Sequence, residues 1–130
     1  MYMMLVLGIT ILAVTAGAFV LSIGFGKNKK RVEAKIVDCI KYWDLFDYYK
    51  SPEIQNRLSE NPSLKLYAQK DEKTVQGKQM YFITMAFFDS EKQGSVPLDK
   101  PFCLASEKLD DMLIEKLNGG TIMYMRDPIL

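Results

Sequence analysis

The sequence predicts an α+β protein. A single N-terminal transmembrane helix precedes a small, mostly antiparallel β-sheet that curls toward a partial barrel and carries two short helices. Three observations lead there. The first 26 residues contain no charged side chain, and Lys27, Lys29, Lys30 and Arg31 follow at once. About a hundred residues remain, enough for one modest core and too few for two. That remainder alternates short β-branched or aromatic runs with polar turns, the pattern of a small sheet. The chain divides accordingly into a span over 1–26, a basic stop signal over 27–31 and an α+β domain over 32–130.

Leu5 to Phe25 reads LVLGITILAVTAGAFVLSIGF, with Thr10, Thr15 and Ser22 its only polar side chains. As a helix it reaches roughly 31 Å, close to the ~30 Å hydrocarbon core of a bilayer. Ala16-Gly17-Ala18 offers a small-x-small cleavage pattern, but no basic residue precedes the apolar run and the run continues past Ala18, against a signal peptide. Lys and Arg beside a span stay on the cytoplasmic side. The expectation is therefore a single-pass protein of the cell membrane, N-terminus outside and C-terminal domain cytoplasmic. Lys27, Lys29, Lys30 and Arg31 would also meet lipid headgroups at the membrane surface. Ala13 and Gly17, four apart, would share a helical face on which two spans could pack and the protein self-associate.

Beyond the junction, Arg31 to Tyr42 (RVEAKIVDCIKY) carries a period-two apolar face and β-branched residues, a strand. Ser51-Pro52 starts a short helix, with Ser as cap and Pro in the first turn, and Asn61-Pro62 ends it. Leu64, Leu66 and Ala68 mark a short strand, and Asp71-Glu72-Lys73 a polar turn. Lys78 to Asp89 (KQMYFITMAFFD) is the strongest strand, apolar at nearly every position and so covered on both faces. Pro97 and Pro101 assign Ser95 to Leu104 to an edge strand or loop. Ser106 to Asn118 reads as a helix with Ser106 as cap and Leu109, Met112, Leu113 and Leu117 as its buried stripe. Asn118-Gly119-Gly120 stops it, and Thr121 to Arg126 is a last strand.

All 17 Lys+Arg and 16 Asp+Glu lie beyond residue 26. Without the four junction cations the domain is mildly acidic, which argues against nucleic acid. There is no histidine, which removes the commonest general base and most catalytic zinc sites. No phosphate-binding or dinucleotide-binding glycine pattern occurs, and no cofactor is implied. Asp44 with Asp47, Asp89 with Glu91, and Asp110 with Asp111 are the acidic groupings, none spaced like a metal loop. Cys39 and Cys103 read as buried reduced thiols in a cytoplasmic domain, and as a disulfide if the orientation is reversed. The notable cluster is aromatic: Tyr42, Trp43, Phe46, Tyr48 and Tyr49 fall within eight residues, mixed with Asp44, Asp47 and Lys50. Such residues fill a small core, line a partner-binding surface, because Trp and Tyr bury much area at little entropy cost, or meet the membrane surface about a dozen residues away.

The basic junction, the strand VEAKIVDC, the long apolar strand and the closing GGTIMYMRDP together resemble a family of small bacterial membrane-tethered β domains of unknown function. Those close on a Gly-x-x-Val-x-Val-x-Tyr-Asp-Pro type motif, approximated here by Gly120, Ile122, Tyr124, Asp127 and Pro128, with Arg126 in place of Tyr. The resemblance implies a tethered β fold and no site. These features together point to a non-enzymatic membrane protein whose cytoplasmic domain binds a membrane-associated protein, as a subunit or regulator of a complex. The alternatives are an immunity protein against a membrane-acting toxin, or a tethered enzyme or ligand sensor using Asp44, Asp47 or the cysteines.

Overall fold

A computed structural model describes residues 7–15, 17–25 and 28–127. Strands β1 (Gly8–Val14), β2 (Ala18–Phe25) and β3 (Asn28–Ile36) open the chain as an antiparallel meander. Helices α1 (Tyr42–Tyr49) and α2 (Pro52–Glu60) follow, then the long hairpin of β4 (Leu64–Val75) and β5 (Lys78–Asp89). Strands β6 (Gly94–Val96) and β7 (Phe102–Ser106), helix α3 (Asp111–Leu117) and strand β8 (Ile122–Tyr124) complete it. The sheet order is β1-β2-β3-β7-β5-β4-β8, with β6 pairing β5 and only β3 and β7 running parallel. This is a β-rich half-barrel with three short helices. The helices pack on one face, and the β1–β2 hairpin covers the other.

The N-terminal transmembrane helix expected from the sequence is not there. Residues 8–14 and 18–25 are strands, and no helix among the described residues is long and apolar enough to cross a membrane. The single-pass reading is corrected with it, and the charge argument for orientation loses the span it acted on. The physical reason lies in the pattern beneath the uniform hydropathy. Phe19, Leu21, Ile23 and Phe25 alternate at period two and are buried, as is Ile9 opposite Ile23. Between them sit the small or polar Thr10, Ser22 and Gly24, with buried Val20 the one apolar interruption. That is a strand's alternation, whereas a span needs no face. The backbone N–H of Thr15 bonds the carbonyl of Ala18 at 2.9 Å and closes the hairpin.

β5 takes the position its composition demands, at the centre with both faces covered. Ile83, Met85 and Phe87 join the helix-side cluster, while Met80, Phe82 and Ala86 face the N-terminal hairpin. β4 runs much further than expected. Asp71-Glu72-Lys73 is ladder rather than turn, and the reversal falls at Gln76-Gly77, both at positive φ (52° and 79°). That pair matches the two-residue loop whose twist fits antiparallel strands. β7 is central between β3 and β5, although two prolines suggested an edge, because Pro101 precedes its first residue and removes no ladder bond. β6 is the piece that lies at an edge.

The open side of the half-barrel is bridged by one side chain. Gln69 on β4, 2% exposed, accepts the Leu7 N–H at 2.8 Å through Oε1 and donates to the Leu7 carbonyl at 3.1 Å through Nε2. It mimics a strand and satisfies a backbone unit buried away from any ladder. Nε2 also donates to Asp71 Oδ2 at 2.9 Å, and burial raises the Asp71 carboxyl above the usual aspartate range. Nearby, Tyr67 and Ser95 share a hydroxyl pair at 2.7 Å, and burial pushes the Tyr67 phenol up to about 12.

Two predictions follow from this packing. Deleting residues 1–26 uncovers Tyr67, Phe82 and Ala105, so the remainder is expected to lose its cooperative urea transition. A span would be dispensable to that transition, and its retention refutes the hairpin. Gln69→Leu leaves the Leu7 N–H and C=O buried without partners and is expected to destabilise the fold by about 2–4 kcal/mol in the same titration.

Candidate functional site

The aromatic cluster lies on α1, and the helix divides it. Tyr42, Leu45 and Tyr49 repeat at helical spacing and are buried against β4, β5 and α3. Tyr48 is half-buried, tilted over Phe102 with centroids 4.5 Å apart, and donates its hydroxyl to the Lys100 carbonyl at 3.2 Å. Trp43 stays 51% exposed, edge-on to Tyr42 at 5.4 Å and to Phe46 at 5.5 Å. Three of the five residues are therefore core or support, and Trp43 with half-buried Phe46 forms the presented part.

What fixes α1 in this pose is Asp110. Its Oδ1 accepts the Leu113 N–H at 2.8 Å, capping α3, and the Tyr42 N–H at 3.3 Å, at the start of α1. Just before each helix, Ile40 pairs with Leu109 in a parallel bridge, with the Asp110 N–H on the Ile40 carbonyl at 3.0 Å. One carboxylate thus serves two positive helix ends. Asp110 takes the capping role that the sequence assigned to Ser106. Ser106 instead ends β7, donates to the Asp38 carbonyl at 2.9 Å and accepts the Lys108 N–H. Asn118 in the left-handed region and Gly119 at φ 79° end α3 as expected.

Between α1, α3 and β8 lies a hollow of about 390 Å³, walled by Tyr42, Trp43, Phe46, Met112, Met123 and Tyr124, with Lys116, Arg126 and Asp127 at its margin. A second hollow of about 350 Å³ adjoins it across Tyr124 and Arg126, floored by Tyr49, Leu58, Leu64, Leu66 and Met125. Tyr124 is 41% exposed and Met112 also reaches solvent, although the sequence pattern placed Met112 in a buried stripe. The residues from α3 and β8 were not legible as site residues, since only the fold brings them to α1. The available signal was Met112 beside Leu113 on a short helix, one apolar residue more than a single buried stripe needs.

The remaining candidates fall elsewhere. Ala13 is on β1 and Gly17 beside the hairpin reversal, so they share no helical face. Lys29, Lys30 and Arg31 are exposed on β3, and Lys27 lies outside the described residues. Asp44 and Asp47 are exposed on α1 and line neither hollow. Asp89 accepts the N–H groups of Glu91 and Lys92 at 3.0 and 3.3 Å, a turn acid. Among the described residues no three His, Cys, Asp or Glu side chains converge for a metal. Both cysteines are free thiols; Cys103 is buried beside the Thr84 hydroxyl at 3.2 Å, and burial pushes it up to about 12.

No family model, curated protein or solved structure matches the chain. The resemblance of its closing motif to tethered β domains therefore assigns no family.

The thiols make a simple test of the site's surroundings. At pH 8 Cys103 remains protonated and enclosed, so a thiol reagent is expected to modify Cys39 alone in the folded protein and both residues in urea. Mass spectrometry of the labelled chain reads this directly.

Proposed function

We propose that this protein is a non-enzymatic binding module that docks a protein partner on the surface formed by α1, α3 and β8, as a subunit or regulator of a complex. The observation that carries the reading is the exposure of Trp43 beside Phe46, with Met112 across the same hollow and Tyr124 at its far rim, the Tyr124 ring turned to Tyr67 on the other face of the sheet. A lone exposed aromatic is ordinary, but exposed Trp and Met around one hollow rimmed by Tyr and Arg has the composition of an interaction hot spot. The helices beneath it are rigidly held through Asp110, so the surface meets a partner with little ordering cost. The chain has no histidine, and Asp44 and Asp47 are exposed and line neither hollow, so this surface presents no carboxylate pair for acid–base work.

Affinity purification from native cells, followed by the same capture with variants, tests the proposal. Trp43→Ala and Tyr124→Ala are each expected to weaken capture of a stoichiometric partner by roughly 2 kcal/mol, about thirtyfold. Because both side chains lie at the surface outside the two buried clusters, their urea midpoints should stay near wild type. Leu45→Ala, fully buried, should instead cost about 2–5 kcal/mol of stability. Undiminished capture by both surface variants refutes the reading.

A further inference from the structure

Resting on that binding surface, we infer that the partner meets it with an extended acidic segment whose alternate side chains are apolar. Charge is the first ground. The two hollows hold three cations, Lys65, Lys116 and Arg126, and one carboxylate, Asp127. Asp127 is already committed to Lys50 at 2.8 Å. The cations elsewhere that find carboxylates are Arg57, Lys70, Lys78 and Lys100. Among the described residues Lys65, Lys116 and Arg126 find none, as is true of the β3 cations too, and what sets them apart is that all three border the same two adjoining hollows. Two of them rest on rings instead, Lys116 Nζ 5.4 Å from the Tyr42 centroid and Lys65 Nζ 5.8 Å from the Tyr124 centroid. The ammonium groups are thereby held at the margin of an apolar floor. The whole chain carries a net charge of only +1, so this local excess does not follow from composition.

Shape is the second ground. β8 pairs with β4 alone and is a sheet edge. The Lys70 N–H bonds Thr121 O and the Met125 N–H bonds Leu66 O. By the alternation of an antiparallel ladder, the N–H and C=O of Ile122 and Tyr124 then point outward. An added strand could pair there, and two hollows sharing one rim would receive side chains two apart on its inner face. A second copy of this chain meeting the same face across a two-fold axis would bring the same three cations together, which disfavours it.

Trp43 is the chain's only tryptophan, so its emission reports this surface. The probes are a blocked pentapeptide alternating glutamate with leucine and its glutamine counterpart, of equal size and backbone. The acidic peptide is expected to bind roughly three- to tenfold more tightly at low salt. That advantage should shrink as salt screens it and vanish in Lys65→Gln/Lys116→Gln/Arg126→Gln. Equal affinity for the two peptides, or no change in Trp43 emission with either, overturns the inference. So does a concentration-dependent dimer in sedimentation that Trp43→Ala abolishes, since that gives the face to a second copy. Partner capture that survives the triple charge variant but fails with Trp43→Ala removes the acidic segment while leaving the binding surface in place.

Discussion

The fold depends on β5 being buried on both sides by two different kinds of cover. Residues alternate along it between a helix-side cluster around Leu45 and Leu113 and a hairpin-side cluster around Leu21 and Phe82. Neither cover is large enough to bury a sheet face by itself. α1, α2 and α3 run eight, nine and seven residues, lengths that are marginal without tertiary packing. The N-terminal hairpin would likewise be unstable without a surface beneath it. Each cover is held by β5 and its neighbours, and the strand in turn has no solvated face. The two cores are therefore coupled through one backbone.

The binding surface inherits its rigidity from the same arrangement. α1 reaches the sheet through Tyr42, Leu45 and Tyr49, and α3 through Leu113 and Leu117. Those contacts and the shared acceptor at Asp110 tie the starts of the two helices together. The side chains left outside, Trp43, Phe46 and Met112, are set by this geometry, since each lies one or more residues off a buried position on its helix. The presented surface is what remains when two short helices satisfy a core that needs only part of their apolar residues.

Much of the β-domain was legible in the sequence, and the failures share a cause. β5, the start of α2 at Ser51-Pro52 and the stop of α3 at Asn118-Gly119 each carry a local signal strong enough to stand alone. Where the deciding contacts are distant, local reading misled. The N-terminal run has the hydropathy of a span, and its period-two alternation acquires meaning only from its partners on β4, β5 and β7. Asp71 to Lys73 look like a turn because the cross-strand partners that hold them, Met80 to Phe82, lie beyond Gln76-Gly77. The candidate surface was half legible for the same reason. The aromatics of α1 are contiguous in sequence, whereas Tyr124 and Arg126 join them only through the pairing of β8 with β4.

The bridge from Gln69 to Leu7 joins residues 62 apart in sequence, and the hairpin that follows Leu7 likewise finds its core partners far along the chain. During synthesis Leu21 and Ile23 emerge about 80 residues before Cys103 and Ala105, with which they share a core. At ribosomal rates of about 5–20 residues per second, the hairpin waits roughly 4–16 s for its cover. Through that interval an uncharged, β-prone segment stands without its partners, the composition that chaperones hold and that pairs with stray strand edges. The cations of β3 travel directly behind it, and their mutual repulsion between nascent chains is the protection the segment itself lacks.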